Sequence, residues 1–199
     1  MKLFGSYTSP YVRRIRIIAM ELGIPFTFID TMTDAGQKEL REKSPLWKVP
    51  YMEMDGETIW DSHTITDYLF QKSGTGPFRG GELSSRWRDA NLHTAIDQAL
   101  DNAILLFYLH KEGIPSDSAP YLQKNALRIS SILDYLKREL KENYFTTEKK
   151  LGLSELALYT SLDWMRFRAV LPVEEDPIFK SFLAEHGARE SFQKTAPPG

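Results

Sequence analysis

The start of one predicted helix carries a serine that could stabilise a small anionic ligand. Ser9-Pro10 precedes a segment in which Val12, Ile15 and Ala19 are spaced as on one face of a helix. Serine at the N-cap and proline at the first helical position are typical of a helix start. The N–H groups exposed there favour an anion, and a serine hydroxyl could donate a hydrogen bond to a thiolate. The alternative is that Ser9 is only an N-cap.

A second predicted helix start, at Asp61-Ser62, offers a comparable group of donors and acceptors. The backbone N–H groups would hold a ligand carboxylate, and Ser62 would add a hydroxyl. An ionised Asp61 only accepts hydrogen bonds, which suits a ligand ammonium. Ordinary capping is again the alternative.

A proline that opens a predicted strand is the third feature. Pro50 follows Trp47-Lys48-Val49 and precedes an apolar run. If its peptide bond is cis, the backbone N–H and C=O of Val49 face outward and can pair with a peptide-like ligand. A trans proline on an edge strand is the alternative, and nothing in the local sequence decides between the two.

Other polar residues are predicted to lie on solvated surfaces. A four-residue spacing predicts that one helix face carries Asp89, His93, Asp97 and Asp101. Because no further ligand cluster accompanies them, this pattern favours a polar face, and we expect no metal site.

Basic and aromatic side chains outside these motifs receive structural interpretations. Arg13, Arg14 and Arg16 form a basic patch, interpreted as a solvated face, although Arg16 could also pair with a carboxylate. Aromatic residues on the later helical stripes are predicted to be mostly core: Phe107, Tyr108, Trp164 and Phe167.

Alternating strand and helix patterns position the three motifs. Short apolar runs predict strands at 2–5, 26–30, 50–54 and 57–60, with helices after Ser9, over 34–43 and after Asp61. A hairpin signal, Asp55-Gly56, separates the last two strands. This region is therefore predicted to be a βαβα-ββα unit.

A glycine-rich linker follows, and beyond it only helices are predicted. They cover 83–111, 120–142, 153–167 and 177–185. The expected fold class is α/β plus all-α, with domains at 1–75 and 83–199 joined by a linker at 76–82.

The composition excludes several classes of protein. With 25 Lys and Arg against 27 Asp and Glu, the chain lacks the basic surface of a general nucleic-acid binder. It shows no signal peptide and no apolar run long enough to span a membrane. The absence of cysteine excludes disulfides and cysteine nucleophiles and fits a cytoplasmic protein.

In their order and spacing, these motifs resemble the cytosolic glutathione S-transferase superfamily over essentially the whole chain. Ser9-Pro10-Tyr11-Val12 takes the place of a Cys-Pro-Tyr-Cys turn, and Arg16 follows Ser9 at the spacing of the zeta and omega classes. Residues 44–50 look like Asn-Pro-x-x-x-Val-Pro, with serine first, and Asp61-Ser62 matches the acidic-Ser pair. The resemblance is to bacterial-type members with a serine rather than a cysteine active site, similar to the zeta, omega and theta classes.

The resemblance implies a thioredoxin-like domain followed by the helical C-terminal domain of these enzymes. It implies that glutathione is bound by Lys48, Val49, cis Pro50, Asp61 and Ser62, with its thiol near Ser9 as the catalytic residue. The implied activity is detoxification, in which the activated thiolate attacks a hydrophobic electrophile. A non-catalytic binding or stress-response protein of the same fold is the alternative.

Four further residues are candidates through the same resemblance. Tyr7 is an alternative to Ser9, because tyrosine-type members place their phenol near the end of the first strand. Tyr11 and Tyr108 are placed nearest an apolar co-substrate. A homodimer is implied, in which Asp97 approaches the glutathione ammonium across the interface.

One departure concerns the start of a buried helix in the second half. The family has Ser/Thr-x-x-Asp there, whereas this chain has Gly152 and Glu155. Because glycine caps less well than serine, we expect this helix start to be looser.

Overall fold

The computed structural model describes residues 1–80 and 86–198, which divide into two compact units. The first unit joins Met1–Pro77 to the segment from Gly187 onward, and the second is Phe78–His186. The C-terminal segment, which the sequence pattern assigned to the helical domain after residue 83, thus packs with the first unit. Part of the predicted linker lies outside the described residues.

The first unit has the predicted βαβαββα order. Its elements are β1 (Lys2–Gly5), α1 (Pro10–Glu21), β2 (Thr27–Asp30), α2 (Asp34–Lys43), β3 (Tyr51–Met54), β4 (Glu57–Ile59) and α3 (Ser62–Ser73). The hairpin turn at Asp55-Gly56 is confirmed: both residues have a positive φ, of 54° and 83°.

The four strands form one mixed sheet in the order β2-β1-β3-β4. Strand β1 is parallel to β2 and antiparallel to β3, and β3 is antiparallel to β4. In this register Phe4 pairs with Tyr51 and Met52 with Ile59. Leu3 and Met52 are fully buried, so the centre of the sheet lies in the core.

The remaining elements are helices α4 (Arg86–Lys111), α5 (Pro120–Glu139), α6 (Leu153–Phe167), α7 (Pro177–Gly187) and α8 (Glu190–Lys194). Residues 83–85 of the first predicted helix lie outside the described part of the chain, and α8 was not predicted. Among the described helices, none combines the length and the apolar character that a membrane crossing requires.

Helix α5 ends earlier than predicted because the chain turns sharply behind it. Glu142 and Asn143 have φ values of 48° and 70°. The N–H of Lys141 donates to the carbonyl of Tyr144 at 2.7 Å, and the reverse bond is 3.0 Å long. This closed turn is incompatible with helical backbone up to residue 142.

The start of α6 is held by Glu155, contrary to the looser start expected from the sequence. One carboxylate oxygen of this fully buried side chain accepts the N–H of Gly152 at 2.9 Å, and the other accepts that of Phe145 at 2.8 Å. Arg79 donates to the same carboxylate at 3.1 Å. A Cβ on residue 152 would lie 2.7 Å from the guanidinium of Arg79, so glycine permits this close approach.

We predict that Gly36→Ala destabilises the protein although the residue is helical. A Cβ at position 36 would lie 2.1 Å from the carbonyl oxygen of Asp30. The free energy of unfolding should fall by about 1–3 kcal/mol, as in overpacked sites, whereas an unobstructed helical Gly→Ala change raises it by about 0.4–1 kcal/mol. Urea unfolding followed by circular dichroism measures the change.

Gly80→Ala is the matched control for this substitution, because a Cβ there has no atom within 4 Å. Its effect should stay within about 0.5 kcal/mol. A Gly36→Ala variant that is as stable as the parent would contradict the close approach.

Candidate functional site

The sheet register brings three of the sequence motifs together at one end of the strands. Phe4 pairs with Tyr51, and the rings of Tyr51 and Trp60 stack with centroids 6.1 Å apart. At the same end of the strands, Gly5 follows Phe4, Pro50 precedes Tyr51 and Asp61 follows Trp60. The start of the Ser9 loop, the proline motif and the Asp61 motif are therefore neighbours, in that order, across β1, β3 and β4.

Ser9 caps α1 as predicted. Its backbone is extended, and its Oγ accepts the N–H of Val12 at 3.3 Å. In this bond the oxygen acts as an acceptor, so the hydroxyl hydrogen can still be donated to another group. The side chain is half-buried, and Pro10 follows at the first helical position. Ser9 thus combines a hydroxyl donor with the positive end of a helix.

Close packing between β1 and α1 fixes the position of this helix start. A Cβ on Gly5 would lie 2.4 Å from Cγ1 of Val12, so only glycine allows the strand end to approach the first turn. The sequence analysis did not identify Gly5 as part of the site. The only available signal was a glycine directly before the Ser9 loop.

Tyr7 packs towards β2 rather than towards the proline motif. Its ring lies 4.4 Å from that of Phe28, and the guanidinium of Arg16 lies 4.9 Å from its centroid. In the strand order, β2 and β3 flank opposite sides of β1. The phenol ring is thereby engaged on the side of β1 away from Pro50.

The predicted solvated face formed by three arginines is wrong. Arg13, Arg14 and Arg16 are buried, with at most 8% of their surface exposed. Arg13 donates to the carbonyl of Phe192 at 2.9 Å, and Arg16 donates to that of Thr195 at 3.2 Å. Arg13 and Arg16 therefore hold the C-terminal segment, a role that periodicity within α1 could not indicate.

Burial also shifts the pKa of Arg16. It lowers the pKa of this guanidinium from its usual value, and Arg13 acts in the same direction more weakly, whereas Tyr7 opposes the shift. Tyr11 stands nearby on the helix and packs against Arg14, whose guanidinium lies 4.8 Å from the ring centroid.

The Val49–Pro50 peptide bond is cis, as the resemblance implied. Pro50 is buried and Val49 is half-buried against the cluster of Phe4 and Tyr51. Lys48 is exposed. The charged side chain of Lys48 is therefore two residues before the cis proline.

Asp61 caps α3 and is itself exposed. Its Oδ1 accepts the N–H of His63 at 2.9 Å and that of Thr64 at 3.5 Å. Ser62 begins the helix and is buried. Because the aspartate already occupies two amides of the first turn, Ser62 supplies the remaining donors there.

Two predicted site residues belong to the second unit. Asp97 lies on α4, where one of its carboxylate oxygens is 3.8 Å from Nε2 of His93. Tyr108 is exposed on the same helix and meets the ring of Phe107 edge to face at 5.3 Å. The other predicted residues all lie in the first unit.

The residues gathered in the first unit can bind a peptide-like ligand that carries both charges. A carboxylate suits the donors at Ser62, an ammonium suits Asp61, and an extended backbone suits Val49. A polarisable anion suits the start of α1 at Ser9.

Comparison with known proteins identifies relatives of the whole chain. Residues 3–77 match the family described as glutathione S-transferase, N-terminal domain. The chain is 27% identical to the uncharacterized GST-like protein YibF of Escherichia coli (strain K12), over 100% of this chain and 99% of that protein.

Two solved structures share its fold over nearly their full length. One is a glutathione S-transferase from Methylobacterium radiotolerans JCM 2831 in complex with glutathione sulfonate, with 22% identity, 100% and 95% coverage and a TM-score of 0.86. The other is a glutathione transferase family member from Pseudomonas fluorescens Pf-5 with bound glutathione, with 25% identity, 100% and 99% coverage and a TM-score of 0.82.

Proposed function

We propose that this chain belongs to the glutathione S-transferase superfamily and is a glutathione transferase that directs the thiolate of bound glutathione at an electrophilic small molecule. The observation that carries this proposal is that the Ser9, Pro50 and Asp61 motifs lie side by side at one end of the strands. Two relatives of the same fold hold glutathione or its sulfonate in their structures, which supports the same ligand here.

Glutathione binds through its γ-glutamyl end at the start of α3. The ammonium pairs with the exposed carboxylate of Asp61, and the α-carboxylate accepts from Ser62. The main chain of Val49 pairs with the peptide backbone, while Lys48 supplies a positive charge beside it. This orientation leads the cysteinyl part of the ligand towards the first turn of α1.

Ser9 stabilises the thiolate. A free thiol has a pKa of about 8.5 and is mostly protonated at neutral pH. A depression by about two units corresponds to roughly 2.7 kcal/mol, which a hydroxyl donor and a helix N-terminus can supply together. The thiol proton passes to solvent, the sulfur forms a bond to the electrophilic carbon, and the leaving group departs with the electron pair of its bond.

One prediction from this binding mode separates the charge of Asp61 from its capping role. Asp61→Asn retains an equally good N-cap but loses the charge that pairs with the ammonium. We expect glutathione binding to weaken by about 1–3 kcal/mol in calorimetry, with little loss of thermal stability.

Thr33→Ala is the control, because Thr33 caps α2 through an equivalent bond to Gly36 at 3.1 Å. It should cost about 1 kcal/mol of stability without changing the affinity. Wild-type affinity in Asp61→Asn would remove this assignment.

Another prediction concerns the hydroxyl that meets the sulfur. Ser9→Gly removes the hydroxyl, whereas capping suffers by only a few tenths of a kcal/mol. The pKa of bound glutathione should rise by about one to two units, the equivalent of one charged hydrogen bond. Turnover should fall and affinity should change little, as measured by ultraviolet thiolate absorbance and conjugation assays with several electrophiles.

Tyr7→Phe is the matched comparison, and it should change the thiolate absorbance much less. The reverse result would make the site tyrosine-type. If neither substitution alters the thiolate or turnover while glutathione still binds, the protein is a non-catalytic binding member of the fold.

We also propose a homodimer, with Asp97 of α4 close to the interface. Two-fold pairing is the commonest closed symmetry of soluble oligomers. Light scattering at micromolar concentration should give about twice the chain mass, and a single species of 22.9 kDa would reject the dimer.

A further inference from the structure

A tight turn connects β1 to α1 and carries Ser9 at its end. The N–H of Ser9 donates to the carbonyl of Ser6 at 3.1 Å, which closes the turn. The Oγ of Ser6 accepts the N–H of Thr8 at 3.2 Å, and the hydroxyl oxygens of Ser6 and Thr8 lie 3.0 Å apart. These bonds all lie within the turn, so they fix its shape.

A contact away from the ends of this turn is needed to fix its orientation. The turn is attached at Ser6, which follows Gly5 of β1, and at Ser9, which caps α1. Two attachments define an axis about which the turn can still rotate. Tyr7 lies between them, and its ring packs on that of Phe28 in β2 at 4.4 Å. The orientation of Ser9 therefore depends on how firmly the Tyr7 ring is held.

The side chain of Arg16 holds this ring. Its guanidinium lies 4.9 Å from the centroid of Tyr7 and 5.7 Å from that of Phe28, so one cation contacts both rings. Only 8% of the surface of Arg16 is exposed. Because the attraction between a cation and a ring is stronger where water is excluded, burial of Arg16 strengthens its hold on Tyr7.

Helical geometry explains how residue 16 reaches back to the turn. The seven residues from Ser9 to Arg16 make about two turns of helix, so both lie on one face of α1. Helical side chains lean towards the N-terminus, which brings the guanidinium close to Tyr7. On its other side, Nη1 of Arg16 donates to the carbonyl of Thr195 at 3.2 Å. The C-terminal segment thus holds the guanidinium in place beside the ring.

We propose, building on the transfer reaction proposed above, that Arg16 is a positioning residue for Ser9 and acts through the ring of Tyr7. Arg16 touches neither glutathione nor the reacting atoms. It keeps the turn in the orientation in which the Ser9 hydroxyl meets the thiolate. The aromatic ring of Tyr7, rather than its phenol hydroxyl, serves the reaction.

The thiolate of bound glutathione, measured by its ultraviolet absorbance, reports on this role. Arg16→Met keeps an unbranched stem but removes the cation, and the pKa of bound glutathione should rise by about half to one unit. Turnover should fall while the affinity for glutathione changes little. Arg16→Lys keeps the charge without the flat guanidinium and should restore part of the effect. Tyr7→Leu removes the ring and should act like Arg16→Met, whereas Tyr7→Phe should raise the pKa much less.

A double substitution separates positioning from a direct effect of the charge. A residue that acts through Ser9 has no further effect once the hydroxyl is gone, so Ser9→Gly combined with Arg16→Met should match Ser9→Gly alone in thiolate pKa. If the charge of Arg16 attracted the thiolate directly, Arg16→Met would raise this pKa equally in both backgrounds. That result would overturn the positioning role.

Arg13→Met is the matched control, because Arg13 holds the same C-terminal segment through the carbonyl of Phe192 at 2.9 Å. This variant shows what loosening the segment does by itself. It should lower the thermal stability and leave the thiolate pKa close to that of wild type. Equal pKa shifts in Arg13→Met and Arg16→Met would overturn the specific role of Arg16.

Hydrogen exchange of one amide tests the positioning without glutathione. The N–H of Val12 donates to the Oγ of Ser9 at 3.3 Å, so a rotated turn would leave this amide unprotected. Arg16→Met and Tyr7→Leu should each speed its exchange by about threefold or more, as followed by nuclear magnetic resonance. Tyr7→Phe and Arg13→Met should change it much less.

The outcomes distinguish this inference from the function on which it rests. A wild-type protein that binds glutathione without a lowered thiol pKa and without conjugation would overturn the transferase function, and Val12 exchange would then decide the positioning. A lowered thiol pKa in wild type, with unchanged Val12 exchange in both Arg16→Met and Tyr7→Leu, would overturn the positioning alone. If Arg16→Met does not fold, Tyr7→Leu against Tyr7→Phe decides, because Tyr7 is exposed.

Discussion

The packing of three aromatic rings across β1, β3 and β4 is the interaction on which the first unit depends. Phe4 meets Tyr51 edge to face at 5.1 Å, and Tyr51 stacks on Trp60. Such pairs contribute about 0.5–1.5 kcal/mol each beyond their burial. A slip of one residue would turn every side chain of a strand to the other face, so this row of rings also fixes the register. For that reason the residues next to the rings, Gly5, Pro50 and Asp61, lie at the same end of the strands.

The second unit depends instead on charges placed inside it. The carboxylate of Glu155 is fully buried, and Arg79 joins it to Asp89 at 3.1 Å. Removing one partner of such a network leaves a buried charge and costs several kcal/mol, about 3–5 in measured pairs. Glycine at position 152 belongs to this network because any side chain would displace the guanidinium. Gly152, which looked unfavourable as a cap, therefore accompanies a different way of holding the start of α6.

Sequence periodicity predicted the elements well where a local signal exists. The caps at Ser9 and Asp61, the bounds of α2 and α6 and the hairpin at Asp55-Gly56 follow from residues next to one another. The burial of Arg13 and Arg16 could not be predicted, because their acceptors lie nearly 180 residues further along the chain. The contact of Tyr7 with Phe28 could not be predicted either, because it depends on the order of the strands in the sheet. The roles of Ser9, Lys48 and Asp61 towards a ligand remain predictions.

The return of the C-terminal segment to the first unit has a consequence for protein synthesis. The amino-terminal strands and helices emerge first from the ribosome, yet the acceptors for Arg13 and Arg16 are the carbonyl groups of Phe192 and Thr195. Until those residues are made, two guanidinium groups lack their native partners, and buried donors without partners cost about 1–3 kcal/mol each. The whole second unit is translated in the meantime. The domain that begins the chain is therefore the last to be completed, and a ribosome that stops after residue 186 leaves it unfinished.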